Sequence, residues 1–431
     1  MKDNSKIQSL LSFLTSSTCN FWAVENISRT LEANDFIRLD QREAWELVPG
    51  GKYYITQNGS AIFAFVVGES GPAAPYKIIS AHSDSPGFRI KPRPEMLTEG
   101  NILKLNTEVY GGPILYTWFD RPLSISGRVI CRTQDPMRPR TLLVKIDRPM
   151  LTIPHLAIHY NRAVNEGNPL SKQKDMLPVI ARLDDAIQSK DYVVRTIAEH
   201  LEVSPEDILD ADLTLFDTTP AMTLGPSDEF IQSGRIDDLE MAHAAMTALL
   251  DSTNSKHTRI MAIFDNEETG SGTRQGAHSP VLKNLLKRIN DRLGGDNETM
   301  YRATASSFMI SADNAHALHP NYPEKQDPTN HPVLGGGPVV KVNANCKYMS
   351  DAHSAAIFRS ICAGAGVPCQ TFVNHSDVAG GSTLGNILTG QLDIQGVDMG
   401  AAQWAMHSCR ETASTADYLY TVNAFTHFFN I

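Results

Sequence analysis

The chain has 431 residues, of which 42% are hydrophobic and 20% charged, and a formal net charge of −10. That composition excludes a disordered or fibrous protein, and no apolar run reaches the ~18 residues of a membrane span. An acidic balance without a block of lysine or arginine also disfavours a nucleic-acid partner, which would want a basic face.

The length allows two domains, or one large domain with an insertion. Ile7, Leu10, Leu11 and Leu14 fall at helical spacing, so the N-terminus reads as an amphipathic helix and not as a signal peptide. A second helix is expected over 26–36. Strands follow at Lys52–Thr56, Ala61–Gly68 and Tyr76–Ala81, the last running into His82-Ser83-Asp84-Ser85-Pro86-Gly87. From 92 to 225 the pattern changes to short β-like runs such as Leu123–Ile130 and Thr141–Ile146, broken by one helical patch, Leu177–His200. This predicts a β-rich domain at 92–225, inserted into a second domain made of 1–91 and 226–431.

Strand–helix alternation resumes after Phe230. Helices are expected at Asp237–Leu250, Val281–Leu293, 348–365, 382–390 and from Thr415; the strands between them are 260–264, Ser307–Ala312, Cys369–Val373 and 394–399. The expected fold class is α/β, a mostly parallel sheet flanked by helices. Six scattered cysteines without a C-x-x-C pair suggest reduced thiols in a cytoplasmic protein.

The buried-looking run Ile260 to Phe264 leads directly into Glu267-Glu268 and a glycine-bearing loop. Two adjacent glutamates there either point into water or face a metal. Sites in open α/β sheets form beyond the carboxyl ends of the strands. His82, Glu267-Glu268, Asp313 and His407 all follow predicted strands, and Asp237 opens a helix whose dipole favours a carboxylate. Asp237, Glu267, Glu268 and Asp313 would place four negative charges in one cleft, which two divalent ions would balance. Mixed histidine and carboxylate ligands suit zinc, with manganese or cobalt possible.

Several motifs resemble the aspartyl aminopeptidase family in order along nearly the whole chain: His82–Gly87, Phe-Asp-Thr-Thr-Pro-Ala at 216–221, 228–237, Asn-Glu-Glu-Thr-Gly-Ser at 266–271, 311–321 and 405–411. The resemblance implies a co-catalytic dizinc exopeptidase of the zinc-exopeptidase fold, interrupted by a dimerisation domain and assembled as a tetrahedral dodecamer. It makes Asp237 the bridging ligand, with Glu268 and His407 on one ion and His82 and Asp313 on the other. Glu267 becomes the general base and Asp84 the carboxylate that orients His82. Lys341 would sit in the pocket for an acidic N-terminal side chain, and His159 would reach from the dimerisation domain into a neighbouring subunit.

Some residues compete for these roles. Arg182-Leu183-Asp184-Asp185 echoes Arg235-Ile236-Asp237-Asp238, and Asp184 is expected on a surface helix. His375-Ser376-Asp377 repeats the start of the 82–87 motif and is expected to be a loop beside Gly380-Gly381. His155 and His159 have helical zinc-site spacing without the acidic partner of H-E-x-x-H. Asp238 and Asp265 are expected to be exposed or to stand behind the ligands. Alternative functions are an aminopeptidase for neutral residues, a dinuclear amidase or deacylase, and a non-enzymatic assembly protein on this fold.

Overall fold

Strands Ala61–Val66 and Thr258–Phe264 are buried along their whole length, which requires packing on both faces. In the computed structural model, which describes residues 4–184 and 189–431, the two faces alternate with the strand period of two. Ile62, Ala64, Val66, Met261 and Ile263 join one core, shared with helices Asn4–Ser16, Asn20–Glu32, Ile236–Asp251, Ala352–Gly364 and Thr415–Asn430. Phe63, Phe65, Ile260 and Phe264 join the other, shared with helices Val281–Arg292, Asn297–Ala305 and Leu384–Leu388. Each fully buried aliphatic or aromatic side chain stabilises this sandwich by about 1.5–3 kcal/mol.

The sheet between these layers has nine strands among the described residues. Their order is Ile37–Arg38, Lys52–Gln57, Ala61–Val66, Thr258–Phe264, Tyr76–His82, Phe308–Ala312, Gln395–Gly400, Val339–Val342 and Gln370–Val373. The four from Thr258–Phe264 to Gln395–Gly400 run parallel. Antiparallel pairings lie outside that centre, as where Ala61–Val66 meets Thr258–Phe264. This is the expected α/β architecture.

The chain divides into two compact units: one of Met1–Asp84, Ala221–Met406 and Glu411–Ile431, the other of Ser85–Pro220 with His407–Arg410. The first holds the nine-stranded sheet and a smaller five-stranded one, whose strands of two to four residues are too short to show periodicity in sequence. The second holds an antiparallel sheet of six strands in the order Arg140–Lys145, Leu123–Cys131, Ile208–Asp217, Gly87–Thr98, Ile102–Tyr110 and Val179–Arg182. Its core contains Phe88, Leu105, Leu123, Ile125 and Val144, covered by Val193 and Ile197 of helix Tyr192–Leu201.

Two local expectations are corrected. The Leu177–His200 patch is not one helix: Val179–Arg182 pairs with Ile102–Tyr110 as a strand, and the helix begins only at Tyr192. Residues 185–188 of that patch, including Asp185, lie outside the described residues. Asp184 is exposed as expected, but in a loop after the strand and not on a helix. His155 and His159 lie in loop and turn, so their helical spacing has no helix to act through.

Candidate metal centre

The parallel register sets Phe264 beside His82 and Ser80 beside Ser311. The chain segments that leave the Thr258–Phe264, Tyr76–His82 and Phe308–Ala312 strands therefore emerge along one edge, with neighbouring strands about 4.8 Å apart. That geometry brings the ends carrying Glu267-Glu268, His82 and Asp313 together. Gly400 on the next strand faces the Asp313 carbonyl so closely that a Cβ there would collide with it, and the Asp313 N–H donates to the Met399 carbonyl oxygen over 2.9 Å.

His82 is 1% exposed. Its Nδ1 lies 3.0 Å from the Asp84 carbonyl oxygen and 3.4 Å from the Asp84 carboxylate. Its Nε2 faces Asp237 Oδ1 at 3.4 Å. A ring nitrogen held from behind by a carboxylate-bearing residue, with the other nitrogen turned towards further carboxylates, is the arrangement of a ligating imidazole. Asp84 has a second task, because its two carboxylate oxygens accept the backbone N–H groups of Glu267 and Glu268 at 3.1 and 3.2 Å. One buried side chain thereby sets both the histidine and the Glu-Glu turn. Asn266 and Gly270, which flank that turn, both adopt left-handed φ, of 61° and 90°.

Helix Ile236–Asp251 opens irregularly: Asp237 and Asp238 have non-helical dihedrals and share a cis peptide. The Asp237 N–H donates to Glu411 Oε2 over 3.1 Å. Asp238 is fully buried, and its Oδ2 accepts the His82 backbone N–H over 3.0 Å. Asp265 is also buried and accepts from the Asn20 amide, so neither aspartate takes the exposed alternative.

Potential ligand atoms of His82, Asp237 and Asp238 lie within 4.8 Å of one another, as do those of His82, Glu267 and Glu268. Asp313 borders them, but its Oδ1 accepts from Lys341 Nζ over 2.7 Å. Lys341 is only 4% exposed, a buried cation at the edge of this acidic cluster. His407 is grouped with the second unit, where its Nδ1 lies 3.1 Å from the Gly112 carbonyl oxygen. His159 is exposed in that same unit.

The electrostatics of the cluster favour positive charge. Burial pushes the Glu267 carboxyl up to about 9, opposed by His82 and reinforced by Asp313, Glu268 and Asp84. Burial likewise holds Asp238 well above the usual carboxylate range. Burial alone would depress His82, yet Asp238, Asp237 and Asp84 hold its pKa well above the ordinary histidine value. So many carboxylates around one imidazole draw in positive charge, as protons or as metal. Asp238 Oδ1 is buried without a hydrogen-bond partner among the described residues. The nitrogen/oxygen donor set fits zinc.

Sequence reasoning missed further buried acids, among them Glu240, Asp398 and Asp417. Glu240 accepts from Asn314, beside Asp313; Asp417 accepts the N–H groups of Gly335 and Gly337; Asp398 lies mid-strand. Each sits inside an apolar-looking helix or strand, where no periodicity distinguishes a buried carboxylate from a solvated one.

A helix-flanked α/β sheet carrying buried histidine and carboxylates at the carboxyl ends of its parallel strands defines a metallohydrolase. Residues 13–429 match the family described as aminopeptidase I zinc metalloprotease (M18). The chain is 47% identical over 427 residues to "Probable M18 family aminopeptidase 2" of Clostridium novyi (strain NT), covering 98% of each. It superposes with a TM-score of 0.93 on a chain in the cryo-EM structure of the Ape4 and Nbr1 complex, at 34% identity, covering 99% of this chain and 85% of that one. Against the S. cerevisiae mApe1 dodecamer the TM-score is 0.86 at 25% identity, with 99% and 96% covered. The chain belongs to the M18 aminopeptidases, the aspartyl aminopeptidase family, and is a zinc-dependent hydrolase of peptide bonds. Among the described residues no helix is long and apolar enough to cross a membrane.

Proposed function

We propose that this aminopeptidase removes an N-terminal aspartate or glutamate, using two divalent cations and Glu267 as general base. The observation that carries the reading is the grip of Asp84 on His82 and on both glutamate N–H groups, which sets the Glu267-Glu268 turn against the buried histidine. Asp237 would bridge, Glu268 and His407 would complete one ion, and His82 and Asp313 the other, as the family resemblance has it. Zinc is the first candidate, with manganese or cobalt as alternatives. Cations bound there would acidify water and polarise the scissile carbonyl. Glu267, outside the ligand set, takes the proton of the attacking water and returns it to the leaving amine. Burial, reinforced by the surrounding carboxylates, already raises the proton affinity of its carboxyl.

Lys341 supports the acidic preference, because it is a buried cation beside a ligand carboxylate in an otherwise acidic cluster. The same ion pair favours a second reading: an ammonium engaged by Asp313 leaves the pocket for neutral residues. Asp-, Glu-, Leu- and Met-nitroanilides, tested on the zinc-loaded protein and on Lys341→Ala, separate the two. Faster turnover of the acidic pair, lost in the variant, supports the first; Leu or Met ahead in both proteins supports the second. Glu267→Gln should keep fold and metal and lose on the order of 10²–10⁴ in kcat; near-normal turnover would remove Glu267 from the mechanism. N-acetylated peptides should not be cleaved, whereas an amidase or deacylase would cleave them.

We further infer a homo-oligomer built from dimers, a tetrahedral dodecamer, in which the inserted unit dimerises and His159 serves a neighbouring subunit's site. The relative solved as a dodecamer and the exposure of His159 support this. Light scattering combined with activity tests it: a fully active monomer would refute the role of His159.

A further inference from the structure

A cavity of about 200 Å³ lies between helix Val281–Arg292 and the end of strand Lys52–Gln57. Arg274 and Arg288 line it together with the carboxamides of Gln41, Gln57 and Asn284, and none of the described residues that line it is acidic. The chain has 48 acidic against 38 basic residues, yet here two guanidiniums share one cavity without an acidic neighbour. They repel each other and attract an anion. The contacts that fix them are neutral. Arg288 donates to the backbone oxygens of Gln41 and Glu43 over 2.9 and 2.6 Å and stacks on the Trp45 ring at 3.5 Å. Nε and Nη2 of Arg274 lie 2.8 and 3.1 Å from the Gln57 carboxamide, turned with its oxygen towards them. Neutral acceptors hold a guanidinium in place but leave its charge uncompensated, and each fork keeps N–H groups to spare.

The cavity adjoins the catalytic turn. Strand Lys52–Gln57 pairs antiparallel with Ala61–Val66, which pairs antiparallel with Thr258–Phe264. Two reversals make Lys52–Gln57 run in the direction of Thr258–Phe264, so Gln57 ends at the sheet edge that carries Glu267-Glu268. Arg274 is tied to that turn through both of its chain neighbours. The Thr273 hydroxyl and the Gln275 amide donate to Asn266 Oδ1 over 2.8 and 3.0 Å. The Asp265 N–H donates to the Gln275 carbonyl oxygen over 3.1 Å. An anion that holds Arg274 therefore steadies Asn266, the residue before Glu267. The volume exceeds the ~30 Å³ share of one water several times over but falls short of the ~300 Å³ of drug-sized ligand sites. That suits an inorganic oxyanion and excludes a nucleotide or a peptide. Guanidinium forks match the oxygens of phosphate.

We propose that this cavity is a site for a phosphate-sized oxyanion, held by Arg274 and Arg288, whose occupancy steadies the Glu267-Glu268 turn. Binding itself does not rest on the role proposed for Glu267. Inorganic phosphate is titrated calorimetrically into chelator-treated His82→Ala, which removes zinc as a competing phosphate site, and into the same protein carrying Arg274→Gln. The arginine change should weaken binding about tenfold or more, and Arg288→Gln should act in the same direction. Arg274 is exposed, so its replacement leaves the core intact. In the zinc-loaded parent, phosphate should slow amide hydrogen exchange across 265–278; in zinc-loaded Arg274→Gln it should not. Equal affinity with and without Arg274, or no phosphate binding in chelator-treated His82→Ala, overturns the site. Binding that depends on Arg274 while exchange across 265–278 stays unchanged overturns the link to the turn. The Glu267→Gln assay, which tests the catalytic reading, moves neither result.

Discussion

The tripeptide His-Ser-Asp occurs twice in the first unit, and the two copies have opposite fates. His82-Ser83-Asp84 ends a strand with parallel neighbours on both sides. His375-Ser376-Asp377 follows Gln370–Val373, the last strand of the sheet. In the first copy the histidine and aspartate side chains are 1% and 2% exposed; in the second they are 32% and 92% exposed. Asp84 lies 3.4 Å from its histidine and holds the Glu267-Glu268 turn. The Asp377 carboxylate is 4.0 Å away, and His375 Nδ1 instead accepts the Asp377 N–H. Identical letters with identical spacing acquire chemistry only where flanking strands deliver more carboxylates and exclude water. An edge strand has a neighbour on one side only.

The sharpest way to break this contrast is to remove each histidine. His82→Ala should lose bound zinc and essentially all turnover, whereas His375→Ala should keep its full metal content by elemental analysis. Comparable metal loss in the two variants would mean that strand position does not select the site. Asp84→Asn comes next in size. It keeps the side-chain volume but weakens the hold on His82 and on the two glutamate N–H groups, and should reduce metal affinity about 10–100-fold in chelator competition. An unchanged affinity would reduce Asp84 to a packing residue.

The smallest effect sharpens the comparison through a third histidine. His243 is buried like His82 but faces Tyr418, Ser9, Thr247 and Phe13, and among the described residues no carboxylate shifts it. Burial pushes its pKa down to about 3, where the carboxylates around His82 drive that group up. The unfolded chain, with a histidine pKa near 6.5, therefore binds the proton more readily than the fold does. The stability linked to His243 is fully present above about pH 6.5 and is lost as pH falls from there towards 3. His243→Gln cannot take that proton. It should show a shallower loss than the parent, by about 2 kcal/mol between pH 6.5 and 5, in denaturant titrations. Parallel acid limbs for the two proteins would show that His243 is not buried in neutral form.

These contrasts also mark how far the amino-acid order alone could reach. The alternation of Ile260, Met261, Ala262, Ile263 and Phe264 names a two-sided buried strand without coordinates, because strand periodicity and burial are local. The charge balance of Asp237, Glu267, Glu268 and Asp313 was countable in the same way, and so was the need for cations. The family motifs, which run from His82 to Glu411, were legible in order.

Tertiary structure decided what depends on partners distant in sequence. It joined Asp84 to a turn 183 and 184 residues away. It paired Lys341 with Asp313, buried Asp238 under His82, and set Asp398 as a tie between two loops. It also turned the end of the Leu177–His200 patch into a helix and its beginning into an edge strand. The reason is the same in each case. Hydrophobic period is written in consecutive residues, whereas a buried carboxylate's role depends on which donors long-range strand pairing brings within 3 Å of it.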